Sequence, residues 1–177
     1  MKKLQILPVG PVDARLLDWL RQALQEKFQV SAEIVAPALD VSFALHSERQ
    51  QYHSSEILAA MQTYKQRDTW KLLAVTSLDL YIPILTFVFG EAQVGGAAAI
   101  VSYHRLRQDF YGLPEDLDVL ANRLLIEAVH ELGHTLQLTH CDDYRCAMAP
   151  SHAVEWIDLK DSGYCEPCLS RVLETAR

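Results

Sequence analysis

Three histidines and one glutamate stand close together in the stretch VHELGHTLQLTHC, residues 129–141. His130 and His134 are four residues apart, so on a helix they share one face, about one turn from each other. Two imidazoles at this spacing can bind one Zn²⁺ at about 2.0–2.1 Å. Glu131 lies beside them, where it can reach a water at the metal without being a ligand. A zinc peptidase needs this combination of ligands and base. The alternative is an ordinary helix that carries two exposed histidines.

A third histidine, His140, follows His134 by six residues. On a continuous helix it would be rotated by about 240° and lie about 9 Å further along the axis, too far to share a metal with His134. We therefore predict that the chain leaves the helix near Gln137 and turns back. The apolar stripe ends at Leu136, and the residues THCDD that follow the next apolar residue are poor helix formers. Three imidazoles with an open fourth position are the ligand set of a catalytic zinc site.

Four cysteines, all following His130 in the chain, form two pairs with the spacing of structural zinc ligands. In a reducing cytosol, cysteines clustered in this way favour metal binding over disulfides. The alternatives are two disulfides or free buried thiols. Because Cys141 directly follows His140, a second zinc ion here would also fix the approach of the third histidine. The four residues are Cys141, Cys146, Cys165 and Cys168.

The strongest helix of the sequence is the one that must carry the motif. Leu117, Leu120, Leu124, Ala128, Leu132 and Leu136 form its apolar stripe. Pro114 suits the first turn, followed by acidic residues where the helix dipole favours them.

The other elements predict an α/β (α+β) fold, a mixed sheet packed with helices, with the order β-α-β-α-β-β-β-α. Ser54 or Ser55 is expected to cap the second helix. Short gaps between the later strands allow antiparallel pairing there. We expect one catalytic domain in two parts: residues 1–139, an N-terminal α/β part with the active-site helix, and residues 140–177, a small C-terminal part with the third histidine and the cysteines. The predicted strands are KLQILPV, QVSAEIV, KLLAVTSLDLYI, LTFVFGEA and GGAAAIVSYHRL.

The bulk properties limit the location and the partners. The chain has 177 residues, enough for one domain, and a net charge of −7, which disfavours nucleic acid as a partner. No apolar segment is long enough to cross a membrane, and the N-terminal apolar run is too short for a signal peptide. We expect a cytoplasmic monomer.

At this point the residues resemble a known family. HELGHTLQLTHC is similar to the metzincin zinc peptidases, whose pattern is His-Glu-x-x-His-x-x-Gly-x-x-His. The cysteine after the third histidine, the triplet CAM and the late Cys-x-x-Cys pair resemble the archaemetzincins. The resemblance implies a metzincin-like fold, with the small C-terminal part built round the four-cysteine zinc.

The resemblance also implies a role for each site residue. The ligands of the catalytic zinc would be His130, His134 and His140, with Glu131 as general base and Met148 as the Met-turn beneath the metal. The ligands of a second, structural zinc would be Cys141, Cys146, Cys165 and Cys168. The strand around 97–102 would form the cleft rim, where a peptide substrate adds a strand.

Two features depart from the family pattern. Gln137 stands where the pattern has glycine, which normally allows a positive φ. A residue with a side chain adopts that conformation at a cost of about 1–2 kcal/mol, which metal binding outweighs. The gap between Met148 and Cys165 is one residue shorter than the family spacing.

The sequence therefore predicts a zinc-dependent metallopeptidase, a hydrolase acting on peptides or proteins. Two alternatives stay open at this point. One is a non-catalytic zinc-binding module, and the other is a zinc hydrolase acting on amides other than peptides.

Overall fold

A five-stranded mixed sheet and a separate three-stranded sheet form the framework of the protein. The computed structural model describes residues 1–36 and 38–175. Three short 3₁₀ helices lie at Ser42–Ala44, Gln62–Tyr64 and Asp109–Tyr111. In chain order the strands and α-helices are β1 (Lys3–Val9), α1 (Ala14–Phe28), β2 (Ser31–Ile34), β3 (Leu45–His46), β4 (Gln51–His53), α2 (Ser54–Met61), β5 (Thr69–Thr76), β6 (Leu80–Tyr81), β7 (Gly90–Ala92), β8 (Ala98–Ser102), α3 (Leu117–Thr135), α4 (Val154–Ile157) and α5 (Glu166–Thr175).

The large sheet has the strand order β2-β1-β5-β8-β7. The first four strands are parallel to their neighbours, and β7 pairs antiparallel with β8. The central strands β5 and β8 are almost continuously buried, because both faces of the sheet are covered. The predicted mixed α/β architecture is confirmed, and the antiparallel pairing that the short gaps allow occurs between β7 and β8.

Helices cover both faces of the large sheet and create two cores. On one face, α1 and α3 bury leucines such as Leu20 and Leu124 against the sheet. On the other face, α2 contributes Ile57 and Met61. The segment after α3 also contributes to the first core, through Ala147 and through the buried residues of α4. None of the helices in the described part of the chain combines the length and the apolar character needed to cross a bilayer.

The long helix α3 begins three residues later than the sequence suggests. Pro114 lies before the helix, and α3 starts at Leu117 with Asp116 as its N-cap. The Asp116 carboxylate accepts hydrogen bonds from the backbone N–H groups of Asp118 and Val119, both at 3.0 Å. This satisfies donors that the first turn leaves without a partner, which sets the start of the helix.

The two serines predicted to cap α2 have a different role. Ser54 and Ser55 are the first residues inside the helix, and the N-cap position is His53, which makes no side-chain capping bond. The Ser55 hydroxyl donates to Glu91 at 2.8 Å, and the Ser54 hydroxyl donates to the same carboxylate. The start of α2 is therefore tied to β7 by a contact that local sequence does not reveal.

The predicted strand LTFVFGEA is mostly a loop. Only Gly90–Ala92 belongs to the large sheet. The carbonyl groups of Leu85 and Thr86 accept hydrogen bonds from the Arg49 guanidinium group, both at 2.9 Å. Their backbone is thus satisfied by a distant side chain rather than by a strand ladder.

Candidate metal centre and active site

The active-site helix ends in a motif that reverses the chain. After Thr135, the Leu138 N–H donates to the Gly133 carbonyl and the Gln137 N–H donates to the His134 carbonyl, both at 3.0 Å. Gln137 has a φ of 67°. This pair of bonds is the Schellman motif, which requires a left-handed residue at this position. The predicted exit from the helix and the positive φ of Gln137 are confirmed.

The reversed end is held by the turn between β7 and β8. The Gly95 N–H donates to the His134 carbonyl at 2.9 Å. The buried Lys71 ammonium group donates to the carbonyls of Thr135 at 2.7 Å and Gly96 at 2.6 Å. A cation at a helix C-terminus is also favoured by the helix dipole. The last turn of α3 is thus fixed to the sheet beneath it.

The three histidines converge after this reversal. One ring nitrogen from each lies within 4.8 Å of the others, and the Nε2 atoms of His130 and His134 are 3.1 Å apart. The Nδ1 atom of His130 lies 2.7 Å from the Ala147 carbonyl oxygen, and that of His134 lies 2.9 Å from the Leu138 carbonyl oxygen. Because a carbonyl oxygen can only accept, each Nδ1 carries the proton and each Nε2 keeps a lone pair for a metal.

The protonation state of these histidines suits a metal. Burial, helped by the positive charge of Lys160, lowers the pKa of His130 to about 3. Burial is also the largest cause that lowers the pKa of His134 and of His140. All three imidazoles are therefore neutral at pH 7, the form that binds metal. Three neutral imidazoles with a fourth position facing a cleft fit a zinc ion.

Glu131 lies against the edge strand of the large sheet. It is 5% exposed, and burial, together with the charges of Glu127 and Glu91, raises the pKa of its carboxyl group well above the usual value. A Cβ atom on Gly90 would lie 2.7 Å from both Cγ and Oε1 of Glu131. Cβ atoms do not approach other atoms so closely. The Glu131 carboxyl group can therefore occupy this position only because residue 90 is a glycine.

Met148 lies fully buried beneath the active-site helix. A Cβ atom on Gly133 would collide with the Met148 sulfur and lie 3.1 Å from the Tyr164 hydroxyl oxygen. That hydroxyl donates to the Val129 carbonyl at 2.8 Å. The methionine and the tyrosine therefore pack against α3 where glycine leaves room, and Tyr164 faces the interior rather than the cleft.

The four cysteines form a second cluster. Their sulfur atoms all lie within 4.8 Å of one another, and none of the four is in a disulfide. The Sγ atoms of Cys141 and Cys165 are 3.6 Å apart, close to the separation of about 3.8 Å that tetrahedral Zn–S bonds of about 2.3 Å imply. Burial raises the pKa of the Cys146 and Cys168 thiols. These residues fit a zinc ion whose binding would release protons.

The two clusters are joined through the backbone. The Cys141 N–H donates to the Met148 carbonyl at 3.0 Å, and the Met148 N–H donates to the Cys146 sulfur at 3.4 Å. His140, directly before Cys141, is thereby connected to the segment beneath α3. The position of the third histidine thus depends on the fold of the cysteine cluster.

A cleft of about 500 Å³ opens above the histidines. One wall is the segment 82–92, which includes β7, and the opposite wall is the segment 150–152. The rim predicted at 97–102 is wrong, because β8 is buried and paired on both sides, with β5 and with β7. Strand β7 is the edge of the sheet and lines the cleft.

Other residues with possible chemistry have ordinary places. His152 lines the cleft, with its ring 6.2 Å from that of Trp156. Tyr144 is exposed. The Asp79 carboxylate accepts two hydrogen bonds from Arg105, at 2.7 and 2.8 Å. Asp79 is therefore held in a structural ion pair, in agreement with the non-catalytic interpretation of its sequence context.

Several residues that shape the site were not found by sequence reasoning. Gly90 and Gly133 act through missing side chains, and Ala147 acts through its carbonyl group. A glycine within an apolar run was the available signal for Gly90, because such a glycine often marks a close approach. No side-chain type could indicate the role of the Ala147 carbonyl.

Comparison with known proteins places the chain in a known peptidase family. The sequence model of the family described as Peptidase family M54 matches residues 27–174. The archaemetzincin of Methanocaldococcus jannaschii is 40% identical over 168 residues, which are 94% of this chain and 90% of that protein. The archaemetzincin of Archaeoglobus fulgidus is 36% identical over 172 residues, 96% of this chain and 98% of that protein.

Solved structures show the same similarity. The crystal structure of archaemetzincin from Archaeoglobus fulgidus, complexed with malonate, matches with a TM-score of 0.82 and 34% identity, over 96% of this chain and 99% of that one. The zinc-dependent peptidase from Methanocorpusculum labreanum matches with a TM-score of 0.86 and 26% identity, again over 96% and 99% of the two chains.

Proposed function

The chain belongs to peptidase family M54, the archaemetzincins, and is a zinc metallopeptidase; from this premise we propose which residues hold the zinc and carry out hydrolysis. In this proposal, His130, His134 and His140 bind the catalytic zinc, and Glu131 is the general base. The observation that carries the proposal is the convergence of three imidazole nitrogens beside a buried carboxyl group at the floor of a cleft. Membership of a peptidase family favours this activity over a non-catalytic module and over hydrolysis of other amides.

The chain's own residues have distinct tasks in the reaction. When bound, the zinc ion supplies a Lewis acid that polarises water and the substrate carbonyl. Glu131 accepts the proton of the attacking water and delivers it to the leaving amine nitrogen. The carbonyls of Ala147 and Leu138 hold His130 and His134 in the orientation that presents Nε2.

Replacement of the base tests this assignment. Glu131→Gln keeps the shape of the side chain but cannot accept a proton, so hydrolysis of a fluorogenic peptide should fall by at least about 10³-fold while the zinc content stays the same. Glu115→Gln is the matched control, because Glu115 is exposed and lies before α3. Turnover by Glu131→Gln at the wild-type rate would rule out Glu131 as the base.

The peptide substrate binds, in this proposal, as an additional strand beside β7. Among the described strands, β7 pairs with β8 alone, so its other edge offers backbone N–H and C=O groups to a ligand. This edge lines the same cleft as His130 and Glu131. A peptide with an N-methylated amide at the paired position should therefore bind more weakly than its unmethylated counterpart.

We also propose two zinc ions per chain, the second held by the four cysteines, with Met148 as the turn beneath the catalytic zinc. The support is the separation of the two ligand clusters and the absence of a disulfide within the cysteine cluster. Metal analysis should give two zinc ions for the wild-type protein and one for His140→Ala. A value of one in the wild-type protein would contradict the two-metal proposal.

The remaining features of the proposal concern location and assembly. Free cysteines that act as zinc ligands suit a reducing compartment, so we propose a cytoplasmic monomer. The net charge of −7 argues against a nucleic-acid partner. The division into parts at residues 139 and 140 stays a prediction, and its last two residues, 176–177, lie outside the described part of the chain.

A further inference from the structure

One ion pair is buried beneath the proposed catalytic centre and has no task in the mechanism above. Lys160 Nζ lies 3.5 Å from Glu127 Oε1, and the two side chains are only 1% and 4% exposed. Glu127 lies in α3, one turn before the zinc-binding motif, and lines the cleft. Ser151, in the opposite wall, donates to the same Glu127 oxygen at 3.4 Å.

Stability alone is a poor reason for this pair. Two charges lose their hydration on burial, and their mutual attraction often does no more than offset that loss. Apolar residues of similar volume commonly stabilise a fold equally well. The position of Lys160 therefore calls for an explanation in terms of its other contacts.

The Lys160 ammonium group has a second acceptor, the Ala147 carbonyl oxygen, at 3.4 Å. The same oxygen accepts the Nδ1 proton of His130 at 2.7 Å. A carbonyl oxygen has two lone pairs and can accept both donors. Ala147 itself lies between Cys146 of the cysteine cluster and Met148 beneath α3, so this carbonyl lies where the two clusters meet.

We propose that Lys160, held by Glu127, is a positioning residue for the catalytic zinc, because it fixes the Ala147 carbonyl that orients His130. The inference rests on the proposed role of His130 as a zinc ligand. Partners behind a metal-bound histidine typically change metal affinity by 10–100-fold when they are removed.

A purely electrostatic role predicts a different result. Besides burial, which is the largest cause, the positive charge of Lys160 lowers the pKa of all three histidines. If this charge acted only by repelling Zn²⁺, then Lys160→Met would bind zinc more tightly than the wild-type protein. If Lys160 positions His130, the same substitution weakens zinc binding.

The decisive variant replaces both charges with neutral side chains of similar size, Glu127→Gln together with Lys160→Met. Burial raises the pKa of Glu127, and the adjacent Lys160 opposes that rise. With the pair in its ionised form, the double substitution leaves the net charge near the metal unchanged, so altered zinc binding reports on positioning. We expect zinc affinity at the three-histidine site, measured by competition with a chelator, to fall about 10-fold or more. We expect kcat to fall with KM nearly unchanged, because the edge of β7 that we propose to bind the peptide is not altered.

A second measurement does not depend on activity. In the zinc-free wild-type protein, ¹⁵N NMR should show His130 as a single tautomer with the proton on Nδ1. In the double variant, the signal should shift toward a mixture of tautomers. A role of the ion pair in stability alone would leave this tautomer signal and the zinc affinity unchanged.

The chain offers a matched control. Arg123 and Asp158 form another ion pair between α3 and the segment that follows α4, with hydrogen bonds of 2.7 and 2.6 Å, and neither residue contacts His130. Arg123→Met with Asp158→Asn should lower the melting temperature, because the buried Leu106 carbonyl loses the Arg123 donor at 2.8 Å, and should leave zinc affinity within twofold. If the Glu127/Lys160 double variant kept wild-type zinc affinity and a single His130 tautomer, the inference about Lys160 would be overturned while the proposed zinc site would stand. Wild-type zinc content in His140→Ala would overturn the proposed site and the inference with it.

Discussion

At the level of single residues, Gly90 is as important to the proposed chemistry as the ionisable groups. A Cβ atom there would lie 2.6 Å from the Ile100 carbonyl oxygen and 2.7 Å from Glu131. Gly90→Ala should displace the Glu131 carboxyl group and lower kcat by about 100-fold, the effect of a misplacement of about 1 Å. The zinc content should stay the same. Peptide turnover and metal analysis check this, with Gly163→Ala as a control because its Cβ meets no atom within 4 Å.

The pKa of Glu131 leads to a prediction about stability. In the zinc-free protein, burial raises this pKa well above the usual value, so the folded state holds the proton more tightly than the unfolded state. The raised pKa therefore adds to the free energy of unfolding. This contribution is fully present below the unfolded pKa of about 4.5 and is lost as the pH rises through the folded pKa. Glu131→Gln cannot lose a proton. The variant should therefore become more stable than the wild-type protein as the pH rises from 4 to 8.

Denaturant unfolding of both zinc-free proteins at several pH values measures this difference. The gain should approach about 1.4 kcal/mol for each unit by which the pKa is raised. Glu115→Gln should show no such trend, since that residue is exposed. A difference between Glu131→Gln and wild type that stays constant with pH would contradict the prediction.

Sequence reasoning was most successful where chemistry follows from spacing. The four-residue separation of His130 and His134 sets both on one helical face, and the distance to His140 requires the helix to end near Gln137. The positive φ at Gln137, by contrast, was implied by the family resemblance, because the family pattern has glycine at that position. The roles of Gly90, Gly133 and the Ala147 carbonyl could not be predicted in this way, because they depend on which distant segments meet.

At the level of elements, the same distinction holds. The helix α3 was predicted because its apolar residues repeat with a clear period, and the core strand β1 was predicted from a short apolar run. The segment around Leu85 and Thr86 is equally apolar, yet the Arg49 side chain takes its carbonyl groups and it forms a cleft wall instead of a strand. The sequence placed the start of α3 near Pro114, whereas Asp116 caps the helix. This smaller error arises because several nearby residues could start the helix.

Lys71 connects three elements, β5, the end of α3 and the turn between β7 and β8. Its ammonium group donates to the carbonyls of Thr135 and Gly96. Lys71→Met would leave both carbonyls without this donor, so the free energy of unfolding should fall by about 1–3 kcal/mol. Urea denaturation measures the change. The exposed Lys65→Met should stay within about 0.5 kcal/mol of wild type, and an equal loss in both variants would contradict a specific role of Lys71.

At the level of the whole molecule, two kinds of stabilisation meet at α3. The layers on either side of the sheet are held by extensive apolar cores. Around the cysteines the buried apolar cluster is small and consists of Leu138, Cys146, Met148 and Cys168. We therefore expect this part of the chain to depend on the proposed cysteine zinc more than the sheet does.

Removal of zinc should consequently proceed in two stages. A mild chelator should take the ion from the open three-histidine site first, abolishing peptide hydrolysis while the circular dichroism spectrum is retained.

A stronger chelator should then take the ion from the cysteines. With their pKa raised by burial, Cys146 and Cys168 would regain protons, and the segment they hold would lose its order. Trypsin should then cut after the exposed Arg145 faster than it does while the cysteine zinc is bound, and the fragment containing β1–β8 should stay folded. Loss of activity, protection and sheet structure in a single step would show instead that both metals stabilise one cooperative unit.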